Sequence, residues 1–225
     1  MSLSTDLKIV YAIPSANPGR AEKTLARWGA MGYDTAVVLD PGMPSIAVSH
    51  CRWQDPYPGY FPCMNVLSWE LRDQYDIIVF GGDDMYPDQT KMAQEIGQEF
   101  VEHFGGTLGV MQPIGDTGIP GVDTICGSPW VGKEYLLRSY QGKGPWHHGY
   151  RAYYGDQEMK DVAEKLGLLW QRKDIAQYHH HFSRAGGPPK ERYQQHNENN
   201  HWNPDQMRFF ARKREGYPDH ELLRS

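Results

Sequence analysis

YDIIVFGGDDMYPD, residues 75–88, is the most informative segment of this chain, because a short apolar run breaks directly into two glycines and two aspartates. Ile77–Phe80 is apolar throughout, which predicts a strand buried on both faces of a sheet. The two glycines let the backbone turn sharply at its carboxyl end. Asp83 and Asp84 would then lie at the edge where open α/β sheets bind their ligands. Compact oxygen donors at that edge suit Mg²⁺ or Mn²⁺ carrying a phosphorylated substrate.

The same residues also fit a simpler structure. In isolation, GGDD is equally compatible with a polar turn whose neighbour Asp88 caps the following helix. The surrounding segments therefore decide between a turn and a metal site.

The segments before the aspartates form a βαβ unit. Residues 8–13 predict a strand, and a helix with Asn17 as its cap follows and stops at Gly32. Residues 35–39 predict a second strand, which ends at Asp40. This alternation predicts an α/β fold with a mostly parallel, Rossmann-like central sheet and helices on both faces. Because the second half of the chain is less regular, we expect a mixed sheet.

Further elements are predicted along the rest of the chain. Helices are expected around residues 64–71, 92–104, 131–140, 156–166 and 207–213, strands at 108–111, 168–171 and 175–182, and loops at 41–62 and 113–130. Beyond residue 184 the chain is polar and nearly free of aliphatic side chains. We therefore expect a catalytic domain over residues 1–183 and a polar extension over 184–225, whose terminal helix could cover the active site as a lid.

Length and composition are those of an ordinary globular protein with one domain. The chain has 225 residues, of which 39% are hydrophobic and 12% aromatic. A net charge of -5 disfavours a general polyanion binder. Three cysteines without CxxC spacing argue against a disulfide framework or a thiolate zinc site. Since no apolar run could span a bilayer and the start lacks the features of a signal peptide, we expect a cytoplasmic protein without membrane insertion.

Three consecutive histidines occupy residues 179–181. In an extended strand alternate side chains share a face, so His179 and His181 point together and only one such pair can reach a common site. Neutral imidazoles beside two carboxylates and a diphosphate would suit Mn²⁺. Surface histidines at the end of a polar strand are the alternative.

Asp156 and Glu158 open a predicted helix, where capping and the helix dipole alone favour acidic residues. The functional alternative is a general base that takes the proton from an acceptor hydroxyl as its oxygen attacks a sugar carbon. Side chains two residues apart near a helix start face different ways, so at most one of them can be that base. Asp156 is the better candidate because it directly follows Gly155 and an aromatic loop.

Aromatic residues cluster in the loops before that helix, namely Trp130, Trp146, Tyr150, Tyr153 and Tyr154. Flat rings with polar rims suit sugars or bases, but buried loop anchors account for them equally well. The basic segment 208–214 could bind phosphate or nucleic acid, although a helix that docks its phenylalanines on the domain is the commoner arrangement.

With these residues assembled, the chain resembles the GT-A fold glycosyltransferases, in particular those of family 2, over most of its length. In that family the first strand and its loop hold the nucleotide, which implicates Pro14, Ser15 and Asn17. An acidic residue at the end of the second strand contacts the base or ribose there, and Asp40 matches it. A polar residue in the helix before the metal strand corresponds to Asn65.

The resemblance also implies a metal site. The family's DxD motif falls on GDD, with Gly82 in place of the first aspartate. This departure makes Asp84 the metal contact and places Asp83 nearer the donor sugar or ribose. A histidine near the end of the domain completes the metal site in such enzymes, and His179 or His181 matches that position.

The family's catalytic aspartate corresponds to Asp156, although the glutamate that usually precedes it is missing here. The resemblance implies a hexosyltransferase that uses Mn²⁺ or Mg²⁺, takes a nucleotide sugar (in the first place a UDP-sugar) as donor, and transfers the sugar to a hydroxyl acceptor with inversion. The chain also resembles, more loosely, small transferases of phage genomes. Those suggest a glycan, a protein or a modified DNA base as acceptor, in the host cytoplasm.

Two other functions remain open at this point. One is a sugar-1-phosphate nucleotidyltransferase, whose glycine-rich, Arg-containing loop is poorly matched by IPSANPGR at residues 13–20. The other is a binding module without catalysis, whose histidine-rich strand and Asn/His-rich tail hold a structural metal or a nucleic acid.

Overall fold

A seven-stranded sheet lies at the centre of the molecule. The computed structural model describes residues 6–54, 57–114, 125–182 and 189–224. The strands are β1 (Ile9–Ser15), β2 (Asp34–Leu39), β3 (His50–Trp53), β4 (Ile77–Phe80), β5 (Met85–Tyr86), β6 (Val110–Ile114), β7 (Trp130–Gly132), β8 (Leu169–Ala176) and β9 (Tyr178–His179). The helices are α1 (Pro18–Ala30), α2 (Tyr60–Leu71), α3 (Ala93–Phe104), α4 (Lys133–Arg138), α5 (Gly155–Lys165) and α6 (Arg192–Glu215).

The central sheet is mostly parallel. Its strand order is β3-β2-β1-β4-β7-β6-β8, and β7 alone runs antiparallel to both of its neighbours. The remaining strands, β5 and β9, pair with each other in a separate two-stranded sheet. The predicted mixed α/β architecture is therefore confirmed.

Both faces of the sheet are buried, which explains the uninterrupted apolar run of β4. Ile77 and Val79 pack on one face with the apolar sides of α1 and α3, while Ile78 and Phe80 pack on the other with α2 and α5. A strand covered by helices on each side has no solvent face on which to place polar residues. The start of α1 also follows the sequence, since Asn17 caps this helix by accepting a hydrogen bond from the Arg20 N–H.

Four local predictions were wrong in extent. The predicted loop 41–62 contains β3, an edge strand whose sequence HCRW has no apolar alternation, and α2 already begins at Tyr60. Residues 130–132, at the start of the helix predicted over 131–140, form β7 because Trp130 is buried between two neighbouring strands. The strands predicted at 168–171 and 175–182 are divided differently, as β8 and β9.

The C-terminal helix is longer than the sequence indicates and packs on the domain. The helix predicted around 207–213 is part of α6, which extends over Arg192–Glu215 and includes Pro204. Phe209 joins the same buried cluster as α2 and α5, and Arg212 makes a buried ion pair with Glu158 of α5. The domain boundary expected between residues 183 and 184 lies outside the described residues.

Within the part of the chain that the structure describes, none of the helices combines the length and the apolar character that crossing a bilayer requires.

Candidate active site

A cleft of about 970 Å³ opens at the carboxyl edge of the parallel strands. The residues that follow β1, β2 and β4 line its floor, which is where open α/β sheets bind ligands. Asp83, Asp84, Asp156, His179 and His181 all lie along this cleft. The structure thus brings together three groups that are spread over residues 83–181 of the sequence.

Asp83 points into the protein and is almost completely buried. Its carboxylate accepts a hydrogen bond from the Ser15 hydroxyl at 2.5 Å and pairs with the Arg20 guanidinium at 2.8 Å. The backbone carbonyl of the same residue accepts from the Thr24 hydroxyl at 2.5 Å. Burial raises the pKa of Asp83 despite these partners. The residue therefore ties the end of β4 to β1 and α1.

Asp84 is turned toward the histidines. Antiparallel pairing of β5 with β9 sets Met85 opposite His179, and the His180 N–H donates to the Asp84 carbonyl at 2.8 Å. As a result Asp84 Oδ1 lies 3.3 Å from His179 Nε2. Burial alone would raise the pKa of Asp84, but the hydrogen bond and charge of His179 and the charge of His181 hold it below its ordinary value.

The histidine run alternates as an extended strand requires. The ring centroids of His179 and His181 lie 4.9 Å apart on the cleft side, whereas His180 contacts the Tyr86 ring at 4.8 Å. Two imidazoles and one carboxylate thus share one wall of the cleft. Taken over the described residues, no three His, Cys, Asp or Glu side chains gather closely enough to hold an ion by themselves.

A side chain at either of the two glycines before the aspartates would collide with a different neighbour. A Cβ at Gly81 would lie 2.8 Å or less from atoms of the Tyr11 side chain, whose hydroxyl donates to the Gly82 carbonyl at 2.8 Å. A Cβ at Gly82 would lie 2.7 Å from Asp84 Oδ1 and would push that carboxylate away from its position beside His179. The residue that departs from the DxD pattern therefore leaves room for the Asp84 carboxylate.

The simpler interpretation, with Asp88 as a helix cap, does not describe this turn. Asp88 accepts from the Thr90 N–H at 2.7 Å and from the Ala176 N–H at 2.8 Å, and α3 begins only after Met92. Asp88 thus joins the turn after β5 to the end of β8, which helps to place β9 and its histidines.

Asp156 lines the cleft at the start of α5. Its Oδ1 accepts from the Gln157 N–H at 2.9 Å, and desolvation by burial raises its pKa to about 6. A carboxylate with such a pKa is ionised at neutral pH and is a stronger base than an exposed aspartate.

Glu158 is held in a different environment, which separates the two acidic residues of α5. It is 1% exposed, and its carboxylate accepts from the hydroxyls of Tyr140 and Tyr150 and from Arg212. This network joins α5 to α6 and to the segment between α4 and α5, so Glu158 is a structural residue.

Only some of the residues that the family resemblance assigned to nucleotide binding lie in the cleft. Pro14, Ser15 and Asp40 line it. Asn17 instead caps α1 through its Oδ1. Asn65 bonds the backbone of Trp146 with both ends of its amide, at 2.9 and 3.3 Å, and is not among the cleft-lining residues.

Most residues of the aromatic cluster are core residues. Trp130, Trp146 and Tyr150 are buried, as loop anchors would be. Tyr153 lines the cleft and is the member of the cluster that could contact a ligand.

One wall of the cleft comes from a part of the chain that sequence patterns did not identify. Gln194, Asn197, Glu198 and Trp202 of α6 line it. The N-terminal part of α6 has almost no apolar periodicity, so no amphipathic signal marks it as a packed helix. Arg20, which pairs with Asp83 and with Glu191 just before α6, was also missed.

No protein-family model matches this sequence, and no curated protein is detectably similar to it. Solved structures are similar in fold. One is the mannosyltransferase PcManGT from Pyrobaculum calidifontis in complex with GDP-Man and Mn²⁺, with 13% identity, a TM-score of 0.57, and coverage of 78% of this chain and 57% of that chain. This chain therefore spans little more than half the length of that enzyme.

A second similar structure is a Drosophila galactosyltransferase 7 mutant in complex with manganese, UDP-Gal and xylobiose. It has 12% identity and a TM-score of 0.52, and the match covers 83% of this chain and 78% of that chain. At such identities the likeness establishes the fold alone. The chain has the GT-A type of nucleotide-sugar transferase fold, as its sequence predicted.

Proposed function

We propose that this protein is a metal-dependent glycosyltransferase that moves a sugar from a nucleotide-diphosphate donor to a hydroxyl acceptor with inversion. The observation that carries the proposal is the convergence, in one cleft, of the Asp84–His179 pair with a separate carboxylate, Asp156, whose pKa is raised to about 6. Catalytic groups in different electrostatic environments commonly take different roles in one reaction.

The donor nucleotide is assigned to the end of the cleft formed by β1 and β2. Pro14, Ser15 and Asp40 line this end, beside Gln54 after β3. Ser15 and Asp83 are already bonded to each other, so Asp83 acts here by fixing the turn after β4 and Ser15 by shaping the nucleotide side. A UDP-sugar is the first donor to test, because an acidic residue in the position of Asp40 suits a base or ribose hydrogen bond.

The charge of the cleft favours a metal-bound diphosphate. None of the described residues that line it is lysine or arginine, and the guanidinium of Arg20 behind it is already paired with Asp83 and Glu191. Asp84, His179 and His181 are ligand types that Mn²⁺ accepts, and an incomplete protein set leaves positions for substrate oxygens. Mn²⁺ or Mg²⁺ held by Asp84 and one of the two histidines, together with substrate oxygens, would neutralise the leaving diphosphate.

Asp156 is the proposed general base. Its carboxylate would accept the proton of the acceptor hydroxyl while the acceptor oxygen forms its bond to the anomeric carbon of the sugar. The bond between that carbon and the diphosphate breaks on the opposite face, and the nucleoside diphosphate leaves with the electron pair. One displacement of this kind inverts the configuration at the sugar carbon.

The C-terminal helix is proposed to cover the acceptor side of the cleft, as the lid expected for residues 184–225. Support comes from the four residues of α6 that line the cleft and from the Arg20 ion pair with Glu191. Closing an active site excludes water, which would otherwise compete with the acceptor for the donor sugar.

Asp156→Asn provides the test of this function. Wild-type protein with Mn²⁺ is expected to release nucleoside diphosphate from one member of a panel of nucleotide sugars. Asp156→Asn should bind that donor with unchanged affinity and lose transfer by about 10²–10⁴-fold, because a positioned base contributes that much.

Glu164→Gln is the matched control, because Glu164 lies on the exposed side of the same helix. It should retain full activity. Transfer retained by Asp156→Asn would remove Asp156 as the base, and release of pyrophosphate from a sugar 1-phosphate and a nucleoside triphosphate would indicate a nucleotidyltransferase instead.

A further inference from the structure

Asn197 of α6 has a buried side-chain oxygen that none of the described residues satisfies. The residue is 7% exposed and lines the cleft, yet its Oδ1 has no hydrogen-bond partner among the described residues. A buried carbonyl oxygen without a partner is costly and therefore uncommon in folded proteins. Its position in the cleft wall indicates that a ligand group supplies the missing donor.

An exposed aromatic surface lies five residues further along α6. Trp202 is 42% exposed, and both it and the half-buried Tyr153 line the cleft. Their ring centroids are 4.8 Å apart with an interplanar angle of 66°. A large ring left open to solvent at the mouth of a cleft suits a flat ligand face.

These two residues are held in place by contacts behind them. Asp205 of α6 is 1% exposed and accepts hydrogen bonds from the backbone N–H groups of residues 151–153 at 2.9 to 3.2 Å. Gln206 donates to the Tyr154 hydroxyl at 2.5 Å. The surface is therefore fixed relative to Asp156, which follows in the same segment.

This wall of the cleft is polar and consists of amides, aromatic rings and one ion pair. Gln157 and Gln194 line the cleft with Asn197, and Glu198 pairs with Lys190. The side-chain amides can both donate hydrogen bonds to the hydroxyls of a pyranose and accept them. The exposed Trp202 ring suits the apolar face of the same sugar. A nucleic-acid acceptor would require cations for its phosphates, and no lysine or arginine is among the described residues that line the cleft.

We infer that the wall formed by Asn197, Trp202 and Tyr153 is the acceptor subsite and that the acceptor is a saccharide. A pyranose ring stacks on Trp202, one hydroxyl donates to Asn197 Oδ1, and a neighbouring hydroxyl is presented to Asp156. This inference rests on the proposed function for the role of the bound sugar, but saccharide binding itself requires no turnover.

The test is saturation-transfer NMR on the full chain, with methyl hexopyranosides and hexose disaccharides as probes, recorded with and without saturating UDP and Mn²⁺. Wild-type protein should give saccharide signals. Trp202→Ala and Asn197→Leu should each weaken binding by at least about tenfold, since both remove contacts with the sugar. Trp202→Phe should keep most of the affinity for saccharides, because it retains an aromatic ring. This variant therefore distinguishes a loss of stacking from a loss of folding.

Trp69→Ala is the matched control, because Trp69 is 50% exposed on α2 and does not line the cleft. It should bind saccharides as the wild type does, and all variants should keep the donor affinity measured with a nucleotide sugar and Mn²⁺. The inference is overturned if no saccharide probe binds the wild type, if Trp202→Ala binds saccharides equally well, or if a single-stranded oligonucleotide rather than a saccharide receives saturation transfer from the wild type. If saccharides bind but no sugar is transferred, the proposed function fails, and the wall remains a saccharide-binding site without the acceptor role.

Discussion

Adjacent carboxylates have opposite surroundings at the end of β4. Asp83 is buried against Ser15 and Arg20, whereas Asp84 pairs with His179 on the wall of the cleft. The sequence identifies the pair and the turn that exposes it, because two glycines follow a fully apolar strand. Which aspartate points inward depends on Arg20, 63 residues earlier in the chain, and no local pattern contains that contact.

The same limit applies to the asparagines. The side chains of Asn17 and Asn65 satisfy backbone groups of a helix start and of residue 146. A motif comparison places a polar residue in a segment but does not show whether its hydrogen bonds are already made.

At the residue scale, the raised pKa of Asp156 predicts the pH dependence of transfer. Asp156 must be deprotonated to act as a base, so kcat/KM should fall about tenfold per pH unit below pH 6 and level off above it. Its titratable neighbours Tyr60 and Cys126 have pKa values raised by burial and remain neutral in this range. Donor affinity recorded over the same range separates this effect from titration of the histidines.

The stability of the folded protein should also depend on the protonation of Asp156. Because the pKa of Asp156 is higher in the folded protein than the ordinary 3.8, the proton is bound more tightly in the fold and the charged form is the less stable one. Asp156→Asn should therefore raise the Tm more at pH 8 than at pH 5.

For the kinetic prediction, a profile of kcat/KM against pH that stays flat down to pH 5 would contradict Asp156 as the base.

At the element scale, the helices with an apolar stripe were predictable and α6 was not. The stripes of α1 and α3 recur at helical spacing, and both helices end near glycine, as the sequence indicates. The N-terminal part of α6 consists mainly of Asn, Gln, His and Glu. Its contacts are individual polar ones, such as Asp205 with residues 151–153, and these depend on distant backbone groups that a sequence window does not include.

Asp205 is expected to determine how α6 docks. Asp205→Ala leaves three partly buried backbone donors without their acceptor, which should lower the free energy of unfolding by about 2–4 kcal/mol. Asp205→Asn retains an oxygen that can accept at least part of these bonds and should cost less than half as much. Urea denaturation of the three proteins measures both values, and a loss below about 0.5 kcal/mol for Asp205→Ala would show that α6 docks without this contact.

At the scale of the whole molecule, chain topology creates the cleft. Parallel strands β1, β2 and β4 end at one edge, the β5–β9 pair brings the histidines to Asp84, and α6 closes the remaining wall. The parallel half of the sheet follows from the βαβ pattern. The antiparallel β7 does not, because its three residues are too few to show a period.

The central claim is that Asp84 and its histidines bind a nucleotide sugar through a divalent metal, and calorimetry tests it most directly. Titration of a UDP-sugar into wild-type protein should show binding with Mn²⁺ and at least about tenfold weaker binding without it. Asp84→Ala should abolish the difference while its thermal unfolding stays cooperative. Asp73→Ala, which removes a carboxylate that is 77% exposed and does not line the cleft, should behave as the wild type. Binding that is equal with and without Mn²⁺, or an Asp84→Ala variant that keeps the full metal dependence, would contradict the account.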